Sequence, residues 1–161
     1  MKLFILYAGW LILGAAASAR GGPRDQCKAL INHLADHYSA SCTLSGVTNV
    51  FEDVILIRAD EASGYGVNLG FDAQTNTGVI NLIRLKLQPD PLDHMMTNSQ
   101  VTCNSNSIAI SYDQGAQHTE QRLRLLTDRD LSISHDSSGG GSHTQISCRL
   151  QADSPSYNIR N

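Results

Sequence analysis

The chain has 161 residues, 17% of them charged and 6% aromatic, with a formal net charge of −3. That length suits one domain large enough to bury its own core. The mild acidity excludes a general polyanion binder, so a nucleic-acid contact would need a local basic face.

Residues 1–19 read as a secretory signal peptide. Lys2 supplies the positive end, Leu3 to Gly14 is apolar, and Ala17-Ser18-Ala19 forms a small-residue cleavage site before Arg20. The apolar run falls short of the roughly 20 residues of a spanning helix, and no later stretch is long and apolar enough, so no membrane span is expected. Cleavage would remove Trp10, the only tryptophan, and leave a secreted, extracellular protein. Residues 20–24 form a loose Gly/Pro leader, 25–152 a single domain, and 153–161 a frayed tail around Pro155.

Asp25 can cap a helix running to about Tyr38. Cys27, Leu30, Ile31, Leu34 and Tyr38 recur on one face of it, while Lys28, Asn32 and Asp36 point away. From Cys42 the period changes. Val54 to Ile57 is a β-branched run, Tyr65 to Phe71 is a second strand, and Asp72 to Gly78 reads as a turn. Val79 to Gln88 alternates Ile83, Leu85 and Leu87 against Arg84 and Lys86, and ends at Pro89 and Pro91. Val101–Cys103, Ile108–Tyr112, Thr119–Leu126, Leu131–Ser134 and Thr144–Leu150 complete the strands, with a flexible loop at Ser137 to Ser142. The expected fold is α+β, one N-terminal helix packed on an antiparallel meander that is curled or barrel-like, with two disulfides.

Cys27, Cys42, Cys103 and Cys148 are an even set in an oxidising compartment, and four cysteines allow three pairings. Pairing Cys27 with Cys42 and Cys103 with Cys148 is the simplest option. It is strained by distance: a helix to Tyr38 rises about 16 Å, and four extended residues return at most about 14 Å. Cross-pairing of Cys27 to the sheet is the rival, and the spacing leaves the choice open. No C-x-x-C spacing suggests zinc. His33 and His37 share a helix edge, but His33-Leu-Ala-Asp-His37 matches neither H-E-x-x-H nor H-x-x-E-H. No metal and no cofactor are expected.

The stretch with the most chemistry is His118-Thr-Glu120-Gln-Arg122-Leu-Arg124. On a strand, His118, Glu120, Arg122 and Arg124 project from one face. An imidazole and a carboxylate could move protons at a ribose 2′-hydroxyl and a leaving oxygen, while guanidinium groups hold the phosphate charge. Arg84 and Lys86 would extend the binding patch. The alternative is a solvated sheet face laced by cross-strand ion pairs. A closed barrel holding an apolar ligand is a further class, against which the scarcity of aromatics counts.

The helix at Asp25 to Tyr38, the four cysteines and the His118/Glu120/Arg122 face resemble in outline the small secreted fungal ribonucleases and the ribonuclease-like effectors of plant-pathogenic fungi. The resemblance implies a secreted effector-type protein whose partner is a protein outside the producing cell. It implies RNA binding or phosphodiester cleavage, with His118, Glu120 and Arg122 as catalytic residues and Arg84, Lys86 and Arg124 holding RNA, as the alternative. A hydrophobic-ligand carrier stands third.

Overall fold

The computed structural model describes residues 23–59, 68–87 and 96–153. The expected signal peptide, most of the leader, and all but the first residue of the tail lie outside them. One helix, α1 (Pro23–His33), is followed by nine strands: β1 (His37–Leu44), β2 (Val47–Ala59), β3 (Asn68–Thr75), β4 (Gly78–Lys86), β5 (Met96–Cys103), β6 (Ser107–Gln114), β7 (Gln117–Leu125), β8 (Asp130–Gly139) and β9 (Ser142–Ala152). They form one antiparallel sheet in the order β4-β3-β2-β1-β9-β8-β7-β6-β5.

This corrects the α+β expectation. The molecule is nearly all β, a barrel-like curl of sheet rather than a sheet with a helix laid over it. The helix has 11 residues and stops at His33, because His37 and Tyr38 already belong to β1 and Tyr38 is buried in the sheet core. The apolar 3.6-residue spacing from Cys27 to Tyr38 spans two elements. Cys27, Leu30 and Leu34 face the core, and Cys27 is bonded to Cys103, the last residue of β5. The second disulfide joins Cys42 to Cys148, which sit directly opposite one another on β1 and β9. Cross-pairing is thus the outcome, and both bonds tie segments far apart in sequence. No helix among the described residues is long and apolar enough to cross a membrane.

Alternation places the core. Tyr38, Ala40 and Cys42 on β1, Leu69, Phe71 and Ala73 on β3, Ile108, Ile110 and Tyr112 on β6, and Cys148, Leu150 and Ala152 on β9 all face inward. Tyr38 meets Phe71 edge-to-face at 5.9 Å between centroids. Strands ran longer than the sequence suggested wherever polar residues carry the alternation outward: β8 continues through Ser134 to Gly139, and β3 through Asp72 to Thr75. Only Asn76 and Thr77 separate β3 from β4, and Gly140 and Gly141 separate β8 from β9. The β1–β2 turn holds Ser45 (φ 48°) and Gly46 (φ 85°), the two positive φ values of a tight hairpin.

The edge strands are β4 and β5. One side chain secures the free edge of β4. Gln121, on the inner face of β7, accepts from the Lys86 amide at 3.3 Å and donates to the Arg84 carbonyl at 2.7 Å. Those two bonds fix which amide atom is oxygen. The nitrogen also lies 3.0 Å from His135 Nδ1 on β8, so that ring nitrogen accepts. Burial holds the His135 pKa below its ordinary value, in keeping with a neutral imidazole in that role.

Candidate functional site

The strand β7 alternates as the sequence predicts. His118, Glu120, Arg122 and Arg124 are exposed on its outer face, and Thr119, Gln121 and Leu123 are buried behind it. His118, Glu120 and Arg122 are paired with near neighbours. His118 Nδ1 lies 2.6 Å from Asp113 on β6, and its Nε2 lies 3.9 Å from Glu120. Arg122 lies 3.4 Å from the other Glu120 oxygen. The Asp113 carboxylate raises the His118 pKa; Asn98, and then His118, lower that of Asp113. The arrangement matches a solvated sheet face with cross-strand pairs.

The other expected members of the basic patch sit elsewhere. The Lys86 ammonium lies 5.7 Å from the centroid of the Tyr112 ring and 3.6 Å from Met96 Sδ. Tyr112 shares its face of the sheet with Thr119, so Lys86 is on the opposite side from His118. Arg84 is bonded to Asp72 at 3.0 Å across Gly70. A Cβ on Gly70 would come 1.6 Å from the Arg84 guanidinium, which explains the glycine there. The His118 face therefore does not gather Arg84 and Lys86 around a common phosphate. His33 and His37 are not on one helix: His37 opens β1, 3.7 Å from Asp53. Among the described residues no group of three or more His, Cys, Asp or Glu is placed to hold a metal ion.

Sequence reasoning missed the open end of the barrel, which forms when the sheet curls. The hairpins β1–β2, β3–β4, β6–β7 and β8–β9 all turn at this end. At this end, among β1, β2, β4 and β9, lies a cavity of about 360 Å³ lined by Cys42, Leu44, Asn49, Phe51, Ile80, Asn81, Leu82, Ile146 and Cys148. Register explains the lining. Leu44 opposes Ile146, Cys42 opposes Cys148 and Asn49, and Phe51 opposes Ala40, so these side chains share the core face. Ile80, opposite buried Ala73, brings in β4 from across the interior. The Cys42–Cys148 disulfide is part of the wall. The lining has no charged side chain, and its polar members are two neutral amides. Such a site can exclude water from an apolar molecule and offer it hydrogen bonds, but cannot neutralise an ionised group.

No family model matches the chain and no curated protein matches it. Among solved structures it is similar to EF1p2_mFAP2b bound to DFHBI, at 9% identity and a TM-score of 0.43, over 80% of this chain and 99% of that one. It is also similar to the S-type phycobiliprotein lyase CPES from Guillardia theta, at 6% identity and a TM-score of 0.49, over 82% of this chain and 95% of that one.

Proposed function

We propose that this protein is an exported carrier of a small, uncharged, mainly apolar molecule, held in the open end of its barrel. The observation that carries the reading is the cavity of about 360 Å³ with seven apolar and two amide side chains in its wall. That volume lies in the range of small-molecule sites, roughly 300–1,000 Å³. An ionised carboxylate there would be desolvated without a partner, which argues for alcohols, ketones or hydrocarbons over fatty acids. Asn49 and Asn81 would orient the polar end of the ligand. Two disulfides suit an oxidising compartment, in keeping with the export expected from residues 1–19.

Fluorescence titration with the neutral probe N-phenylnaphthylamine tests this reading. Saturable binding is expected, weakened about tenfold or more by Ile146→Glu, which puts a charge into the wall. Absence of saturable binding, or an unchanged affinity in the variant, would reject it.

A macromolecular partner on the outer face is the second reading, favoured by the exposed Arg122 and Arg124 beside a shallow groove floored by Ser107 and Ala109. It retains the expectation of a protein partner, or RNA, outside the producing cell. A gel-shift series with single-stranded RNA tests the RNA form, since binding through these arginines must weaken steeply with salt.

A further inference from the structure

The inner face of the barrel is mainly apolar, but β7 and β8 place a block of polar side chains on it. Thr119 and Gln121 on β7 stand directly opposite Ser137 and His135 on β8. Thr119, Gln121 and Ser137 are buried, and His135 is half-buried. A buried polar group costs stability unless it is hydrogen-bonded, so such a block needs a reason. The tether to β4 accounts for Gln121. It requires neither the second nitrogen of His135 nor the hydroxyl of Ser137.

The hydrogen bonds fix what those two groups can do. The Gln121 amide nitrogen donates to the Arg84 carbonyl and to His135 Nδ1. A neutral imidazole that accepts at Nδ1 carries its proton on Nε2, and burial lowers the His135 pKa, which favours that neutral form. The free edge of β4 therefore sets the His135 tautomer through Gln121. Thr119 Oγ1 donates to Ser137 Oγ at 3.1 Å, so the Ser137 hydrogen is directed elsewhere. Among the described residues, neither the His135 Nε2–H nor the Ser137 hydroxyl hydrogen meets an acceptor.

Both donors stand next to the cavity. His135 directly opposes Ile146 on β9, and Ile146 is part of the cavity wall. Opposed side chains on one face of an antiparallel pair have Cβ atoms about 5 Å apart, so His135 is the next side chain round the barrel from Ile146. Ser137 lies two residues further along β8, on the same inner face. Strand order puts this pair on the other side of β9 from Asn49 and Asn81.

We propose that His135 and Ser137 form a two-donor subsite at the edge of the cavity, which takes the carbonyl oxygen of a ketone, aldehyde or ester. The inference rests on the carrier reading and narrows its ligand class. Two donors match the two lone pairs of one carbonyl oxygen. A hydrocarbon would displace water and leave both donors stranded. An alcohol would accept from them but find no acceptor beside it, because His135 Nδ1 is already held by Gln121. A carboxylate would bring a charge that two neutral donors do not offset.

The test is displacement of N-phenylnaphthylamine by acetonaphthone and by ethylnaphthalene, which share a shape and differ in the oxygen. The ketone should bind about tenfold more tightly to the wild-type chain. The double variant His135→Phe with Ser137→Ala should bring the ketone down to the affinity of the hydrocarbon and leave the hydrocarbon unchanged. Ser137→Ala alone, which spares the Gln121 contact, should reduce the preference about threefold if the double variant does not fold. Nitrogen NMR of labelled histidine reads the same site without a variant: His135 should carry its proton on Nε2, and the ketone but not the hydrocarbon should move that resonance. Equal affinity for the two ligands would overturn the subsite while leaving the carrier reading in place. A preference that survives the variants would also overturn it and assign the oxygen to Asn49 and Asn81. Displacement by neither ligand would reject the subsite and the carrier reading together.

Discussion

Replacing Gln121 by Leu tests how the barrel holds its free edge. The side chain is 2% exposed and serves three groups at once: the Lys86 amide at 3.3 Å, the Arg84 carbonyl at 2.7 Å and His135 Nδ1 at 3.0 Å. Leucine fills a similar volume, so cavity formation contributes little and the cost comes from the stranded groups. A buried polar group left without a partner costs about 1–3 kcal/mol. The surroundings are only half-buried on the β4 side, which puts each near the lower limit and the sum at about 3 kcal/mol. With a urea m-value of about 1.5 kcal/mol per molar, the midpoint should fall by about 2 M. Hydrogen exchange of the Lys86 amide should accelerate far more than that of amides in β8 and β9, since β4 loses its tether and the central ladders do not. A loss below about 1 kcal/mol with the Lys86 amide still protected would refute the view that Gln121 holds the edge.

Gly70→Ala puts a methyl where the Arg84 guanidinium lies and should break its bond to Asp72, costing about 2 kcal/mol by urea denaturation; Arg84→Met in the same background should recover part of it. Acid should loosen the same edge that Gln121 holds. The His135 pKa is depressed in the folded state, so the unfolded chain binds more protons and stability is lost as pH falls from 6.5 toward the folded value. A His135→Gln variant should show a flatter thermal stability between pH 7 and about pH 5. Opening Cys42–Cys148 by paired alanine substitution should cost about 4 kcal/mol, because the bond closes a loop with a sequence separation of 106 and ties β1 to β9; differential scanning calorimetry reads the shift.

Much of the sheet is legible in the sequence because alternation is a local property. β6, β7 and β9 each declare a buried and a wet face, and the exposed set from His118 to Arg124 follows from it. The helix was overextended because Tyr38 continues the apolar spacing of Cys27 to Leu34, and periodicity does not reveal a change from helix to strand between two buried residues. β8 and β3 were cut short because Ser134 to Ser138 and Asp72 to Thr75 resemble loop residues by composition, yet sit in the middle of ladders. The cavity was invisible for a different reason. Leu44, Phe51, Ile80 and Ile146 come from four strands and meet only when the sheet curls, and apart from Phe51 the apolar part of the cavity wall is aliphatic or disulfide rather than built from the aromatics whose scarcity counted against it. A local signal did exist: two hairpins without a charge, each with exposed branched apolar residues beside a tight turn.

Chemical-shift mapping with N-phenylnaphthylamine on isotope-labelled protein tests the carrier reading most directly. Saturable shifts confined to the amides of Leu44, Asn49, Phe51, Ile80, Leu82 and Ile146 are expected. Shifts centred on His118, Glu120, Arg122 and Arg124, or no saturable shifts at all, would contradict it.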